Sequence, residues 1–136
     1  NRAMKNIFEE KVYYADTDAY GVVWHGTYLR WMEKGRVDLC EEAGLNLIDL
    51  ANQDIALPVT NMNVRYKASA RLNDIIVVET SIKEVSPLRV TFEQIIRNKA
   101  DGKLFIKAEF DVVAIHNDGN IYRRLPEAIT NALKEG

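Results

Sequence analysis

A single long helical periodicity, running from Trp24 to Ala43 in a chain otherwise patterned as strands, limits the possible folds more than any other feature of this sequence. Tyr28, Met32, Gly35, Leu39 and Ala43 fall three or four apart on one stripe, while Arg30, Lys34, Asp38 and Glu41 lie elsewhere around the helix. Gly44 follows as a C-cap. A helix of roughly twenty residues is about 30 Å long, enough to cross a full sheet. Strand alternation occupies most of the rest. Ile7 to Tyr14 reads as a first strand, and Val64, Tyr66 and Ala68 alternate with Arg65 and Lys67. Ile76, Val78, Thr80 and Ile82 share one face, and Val90, Phe92, Gln94 and Ile96 form another such row. Leu104, Ile106, Ala108, Phe110, Val112 and Ala114 form the last, opposite Lys107, Glu109 and Asp111. Turns fall at Ser86-Pro87, Asp101-Gly102 and Asn117-Asp118-Gly119, and Pro126-Glu127 opens a short terminal helix to about Lys134. The pattern predicts one α+β domain over residues 1–136. In it the long helix lies on a curved antiparallel meander of about five strands. Such a sheet keeps open edges, so pairing with a second copy through an edge is expected.

The helix is entered through Tyr14-Ala15-Asp16-Thr17-Asp18-Ala19-Tyr20-Gly21-Val22-Val23-Trp24-His25-Gly26-Thr27-Tyr28, which sets two carboxylates and a histidine in a glycine-punctuated turn. Unpaired N–H groups at a helix N-terminus hold an oxyanion, and a carboxylate facing them attacks a carbonyl or activates water; together they suit acyl transfer. Asp16 and Asp18 are one residue apart and, in an extended segment, project to the same side. The plain alternative is that both are turn formers or caps. Asp18 lies several residues upstream of the helix start, farther than a capping residue sits. His25 fits an acid–base role near neutral pH and, equally, a loop-holding hydrogen bond. Metal ligation is disfavoured, because the second of the two histidines, His116, ends a strand without a cysteine or helical histidine partner. The expected oxyanion donors are the N–H groups around Trp24 and His25, and the expected substrate-binding residues are Tyr20, Gly21, Val22, Val23 and Trp24.

Elsewhere, Glu33 and Arg36 have the spacing of a surface ion pair, and Cys40 reads as a small buried apolar residue. Lys83, Arg89, Arg65 and Lys67 are the positive charges placed on strands or hairpin tips where they could meet phosphates, although isolated basic residues on strands are ordinarily solubilising. A net charge of −2 gives no footprint for nucleic acid or an anionic membrane surface. A lone cysteine excludes an internal disulfide and fits a reducing compartment. There is no Gly-x-Ser-x-Gly elbow, phosphate-cradling loop or dinucleotide fingerprint. No apolar run reaches membrane-span length and no charged-then-apolar stretch precedes Ile7, so a cytoplasmic location is expected.

Asp16-Thr17-Asp18-x-x-Gly21-Val22-Val23-x-His25-x-x-Tyr28, followed by Glu33-x-x-Arg36, resembles the signature of hotdog-fold acyl-CoA thioesterases of the 4-hydroxybenzoyl-CoA thioesterase class, and of its YbgC-like branch in particular. Val64-x-Tyr66, Ala70-Arg71-x-x-Asp74 and Arg124-Leu125-Pro126 extend the likeness over nearly the whole chain. The resemblance implies a helix wrapped by the sheet, with Asp18 as catalytic carboxylate and His25 offering its backbone N–H, and in some branches its ring, to the thioester. It also implies an active site at a homodimer interface, with dimers pairing into homotetramers. The substrate would be an acyl-CoA or acyl-carrier thioester. No metal and no separate cofactor are implied, coenzyme A being part of the substrate. Where aromatic-acyl members carry a basic cluster for the coenzyme A phosphates, Ser86-Pro87-Leu88-Arg89 supplies only Arg89. Two rival readings share the fold: a noncatalytic acyl-binding or envelope-associated scaffold, and a dehydratase acting on hydroxyacyl thioesters. Asp18, His25 and the glycine turn count against the scaffold, and the turn-to-helix signature counts against the dehydratase.

Overall fold

The alternating runs build a five-stranded antiparallel sheet in the computed structural model, which describes residues 4–134. Its strands are β1 (Lys5–Lys11), β2 (Val59–Tyr66), β3 (Ile75–Val85), β4 (Val90–Asn98) and β5 (Leu104–Val112), in the spatial order β1-β3-β4-β5-β2. Only β3, β4 and β5 form the expected meander. β2 crosses to the far edge and pairs with β5, while β1 takes the opposite edge beside β3. The helix between β1 and β2 makes this crossing: α1 (His25–Glu42) leaves one edge of the sheet and delivers the chain to the other. An extra residue in β2, in β3 and in β5, namely Thr60, Lys83 and Phe105, interrupts the register and adds local twist to the sheet. This is the wrapped-helix architecture that the resemblance implies.

Between helix and sheet lies the core. Tyr28, Trp31, Met32 and Leu39 of α1 are buried with Ile76 and Val78 of β3, Phe92 and Ile96 of β4, and Ile106, Ala108 and Phe110 of β5. Burying a side chain of this size contributes about 1.5–3 kcal/mol relative to leaving it exposed. Gly44, at φ +91°, ends α1 in the left-handed region as its place after the stripe predicts.

Two local features depart from the sequence reading. The first strand ends at Lys11, and Tyr14–Asp16 instead forms a short 3-10 turn. A six-residue helix, α2 (Leu47–Asn52), follows α1, capped by Asn46, whose side chain accepts the N–H groups of Ile48 and Asp49 at 2.9 and 3.1 Å. It is too short to show a periodicity. The terminal helix α3 (Glu127–Lys134) forms where Pro126 predicts it and buries Ile129 and Leu133. Edge strand β2 is exposed on both faces, with Val59 40%, Met62 54% and Tyr66 43% accessible. None of the described helices is long and apolar enough to cross a membrane.

Candidate active site

The segment before α1 folds into a tight hairpin. Thr17 pairs with Val23, the Asp18 N–H donates to the Val22 carbonyl at 2.9 Å, and the Gly21 N–H donates to the Asp18 carbonyl at 3.1 Å. Gly21 sits at φ +77°, a conformation that L side chains rarely adopt, so the turn requires glycine. The hairpin is tied to the segment before β3 by a Val22–Arg71 bridge and by the Val23 N–H on the Ala70 carbonyl at 2.9 Å.

The 3-10 turn sends the two aspartates in opposite directions, where an extended segment would have aligned them. Asp16 is buried: Oδ2 accepts the Tyr13 N–H at 2.9 Å and Oδ1 accepts the Arg30 guanidinium at 3.2 Å. Asp18 is exposed on the subunit surface, with Oδ1 closing an Asx-turn on the N–H groups of Tyr20 at 2.8 Å and Val22 at 3.4 Å. Its Oδ2 has no partner among the described hydrogen bonds. Asp18 is thus both a turn former and a fixed carboxylate with one oxygen free.

Trp24 is the N-cap of α1, and its N–H is occupied by the Asp16 carbonyl at 3.2 Å. Of the N–H groups around Trp24 and His25, that of Trp24 is therefore not open. Among the described hydrogen bonds the N–H groups left without an acceptor at this helix end are those of His25 and Gly26, because the Thr27 N–H returns to the Trp24 carbonyl at 3.1 Å. The outer edge of the half-exposed Trp24 ring lies against Gly26, where a Cβ would displace it, so glycine lets the ring close over the second donor. The exposed His25 ring lies 4.5 Å from the Tyr66 ring of β2.

The expected substrate-binding residues are placed differently. Tyr20 stands at the hairpin tip, 86% exposed; Val23 belongs to the core; Gly21, Val22 and Trp24 surround the Asp18 turn. Arg89 lies at the opposite end of the strands, since β4 begins beside it and pairs there with Val112 of β5, whereas the Asp18 hairpin contacts the segment entering β3. It approaches Asp111 at 3.9 Å in a groove also lined by Glu84 and Glu109. Within one subunit it does not meet Asp18. None of these residues lines either of the two connected cavities that run along α1. A groove of about 730 Å³ passes from Gly26 by Leu29 and Glu33 to Arg36, walled by Thr60–Met62 of β2 and by Phe110. At Glu33, Arg36 and Val59 it joins a smaller, mainly apolar cavity of about 240 Å³ closed by Cys40, Phe92, Ile129 and Leu133. Burial pushes the Cys40 thiol up to about 11.

Glu33 and Arg36 are not the surface pair their spacing suggests. Arg36 turns under the helix, donates to Oε1 of Gln94 at 2.9 Å and lies 4.1 Å from the centre of the Phe110 ring. Burial lowers its pKa, partly offset by Glu33. Gln94 is fully buried, its amide donating to the Met32 carbonyl at 2.8 Å and to Thr80 Oγ1 at 2.7 Å. A polar residue inside the buried row Val90-Phe92-Gln94-Ile96 was the available signal for this network. At the far end of the sheet, His116 Nδ1 is 2.6 Å from Asp54 and its ring stacks on Tyr122 at 3.8 Å, a structural pairing that sequence reading missed.

The profile of the thioesterase-like superfamily matches residues 12–133. The acyl-CoA thioester hydrolase YbgC of Escherichia coli is 34% identical over 125 residues, spanning 92% of each chain. The DHNA-CoA thioesterase from Staphylococcus aureus superposes with a TM-score of 0.86 at 30% identity, covering 96% of this chain and 89% of that one. The 4-hydroxybenzoyl-CoA thioesterase from a Pseudomonas species shares the fold, with a TM-score of 0.84 at 22% identity over 96% of this chain and 99% of that one.

Proposed function

This chain belongs to the thioesterase-like superfamily, and from that membership we propose that it hydrolyses acyl-CoA thioesters to a free acid and coenzyme A thiol. One observation carries the assignment of the chemistry: a hairpin fixes the Asp18 carboxylate, with one oxygen free, on the chain leading into a helix whose His25 and Gly26 N–H groups are open. A thioester suits so sparse a site. Its leaving thiol, with a pKa of about 8.5 for a cysteine-like group, needs little general-acid help. The free oxygen of Asp18 acts on the carbonyl carbon as nucleophile, or on a water as general base, while the two N–H groups hold the oxyanion. Each good donor of this kind is worth about 3 kcal/mol. In single-turnover hydrolysis in heavy-oxygen water, label in the Asp18 carboxylate identifies the nucleophilic route, through attack of water on the aspartyl carbonyl of a mixed anhydride, and hydroxylamine trapping of that anhydride identifies it when water attacks the acyl carbonyl instead. Coenzyme A enters as part of the substrate, and no other cofactor is needed.

The second part of the proposal is a homodimer joined through β2. An exposed, apolar edge with unpaired N–H and C=O groups is what a second copy covers. Two-fold symmetry makes β2 pair antiparallel with its own copy, so the Val59 end of one subunit meets the Tyr66 end of the other. Tyr66 contacts His25, and the Arg89 hairpin stands at the Val59 end. Dimerisation therefore carries the partner's Arg89 toward the Asp18 site that it cannot reach within its own subunit.

Asp18→Asn tests the chemistry. The variant keeps both Asx-turn acceptor bonds through its amide oxygen and should fold normally, yet lose most thiol release across short, long and aromatic acyl-CoAs. Wild-type turnover by the variant would remove Asp18 from the mechanism, and no release by the wild type from any acyl-CoA would favour the noncatalytic acyl-binding role.

A further inference from the structure

We infer that Arg36 selects the acyl group, and that the preferred substrate is an aliphatic acyl chain bearing an oxygen acceptor, a hydroxyl or keto group, part-way along its length. The inference rests on the thioesterase reading above and goes on to name the substrate class.

The groove and the apolar cavity form one passage along α1, beginning at Gly26 beside the open N–H groups and ending at Cys40 and α3. Fourteen helical steps make it about 21 Å long. Its two ends suit an acyl chain, with donors for the carbonyl at one and a hydrocarbon-lined space at the other. Its middle does not suit a plain hydrocarbon, because both cavities meet at the Arg36 guanidinium. That group is held rigidly. Gln94 cannot rotate without losing its bonds to Met32 and Thr80, so its Oε1 faces Arg36, and the Phe110 ring supports the guanidinium from one side. A guanidinium carries five N–H donors. One is given to Gln94, and the others have no acceptor among the described hydrogen bonds. They are not sealed in the interior either, since the buried polar atoms without partners among the described residues are Asn6 Oδ1 and Arg97 Nε. The remaining donors therefore open onto the passage.

A hydrocarbon lying there would displace water from a cation and return nothing. A chain with an oxygen at that depth would take the water's place, and its apolar tail would fill the cavity beyond. Arg36 lies eleven helical steps from His25, about 16 Å along the axis, and a helical side chain leans back toward the N-terminus. The matching oxygen is accordingly mid-chain, not adjacent to the thioester. Glu33 stands exposed at the rim, and the structure shows no ion pair between it and Arg36.

The test compares hydrolysis of stearoyl-CoA with 10-hydroxystearoyl-CoA by the wild type, Arg36→Met and Arg36→Lys. The wild type should favour the hydroxylated chain by about 10- to 100-fold in kcat/KM, the range that a hydrogen bond to a charged donor supplies. Arg36→Met should abolish that preference and improve use of stearoyl-CoA, while Arg36→Lys keeps part of it. A ratio that is the same in wild type and Arg36→Met, or a wild type that favours stearoyl-CoA, overturns the inference even though hydrolysis itself succeeds. If neither is cleaved while shorter or aromatic acyl-CoAs are, the inference is overturned and the thioesterase reading stands; if no acyl-CoA is cleaved, it is the thioesterase reading that fails. Calorimetric binding of 10-hydroxystearate against stearate to the wild type and Arg36→Met then decides the role of Arg36, a preference unchanged by the substitution overturning it.

Discussion

Replacing Gly35 by alanine sets two effects of opposite sign against each other. Alanine is a better helix former than glycine by about 1 kcal/mol, so on α1 alone the change is stabilising. Gly35, however, is where α1 lies directly on the sheet: a Cβ there would collide with Thr80 Oγ1 and come within 3.1 Å of Gln94 Nε2. Neither neighbour can withdraw cheaply. Thr80 and Gln94 are both fully buried and bonded to each other at 2.7 Å. Lifting the helix by the width of a methyl group costs about 1–3 kcal/mol in overpacking, and breaking the Gln94–Thr80 bond strands a buried donor at about 1–3 kcal/mol more. Subtracting the propensity gain leaves Gly35→Ala destabilised by roughly 1–5 kcal/mol. For a chain of 136 residues each kcal/mol moves Tm by about 3–5 °C. Urea melts at one fixed protein concentration measure the loss with the contribution of subunit association held the same for both proteins. Thr80→Ala in the Gly35→Ala background should cost less than in the wild type, giving a coupling of about 0.5–3 kcal/mol. A Gly35→Ala protein as stable as the wild type, or more so, would refute the close approach of helix and sheet. Because Gln94 also holds Arg36, the same variant should blunt the substrate preference inferred for that residue.

Asp16→Ala removes the acceptor for the Tyr13 N–H and for Arg30, and should destabilise by about 1–3 kcal/mol in a urea melt. Asp16→Asn should cost less, and equal loss of turnover in Asp16→Asn and Asp18→Asn would mean the chemistry is misplaced. The carboxyl of Asp54 is held below its ordinary value of 3.8 by the Asn117 N–H and then by His116. A depressed folded pKa favours the native state above that ordinary value and ceases to do so as pH falls through the folded one. The stability difference between wild type and Asp54→Asn should therefore shrink as pH falls below about 4; asparagine tolerates the φ of +67° at this position. A difference that does not change with acid would show that the pairing has no charge component. Met62→Lys places a charge in the middle of the β2 edge and should yield a folded monomer by light scattering, with reduced turnover. An intact dimer would place the subunit contact elsewhere.

Elements whose signal is periodic are legible from residue spacing alone. The α1 stripe, the buried rows of β3, β4 and β5, the glycine cap at Gly44 and the proline start of α3 all form where local spacing predicts, because side-chain direction along a helix or strand is fixed by backbone geometry. The Asp18 turn was legible for a similar reason, since Asp-x-x-Gly encodes its own hydrogen bonds. Alternation names the buried face of a strand but not its neighbour, so β2 at the far edge could not be read. The opposed fates of Asp16 and Asp18 depended on Arg30, fourteen residues on. Arg36 reached Gln94 across 58 positions once α1 had crossed the sheet. Contacts of that kind carry no local free-energy signature, and they exist only after burial has brought distant segments together.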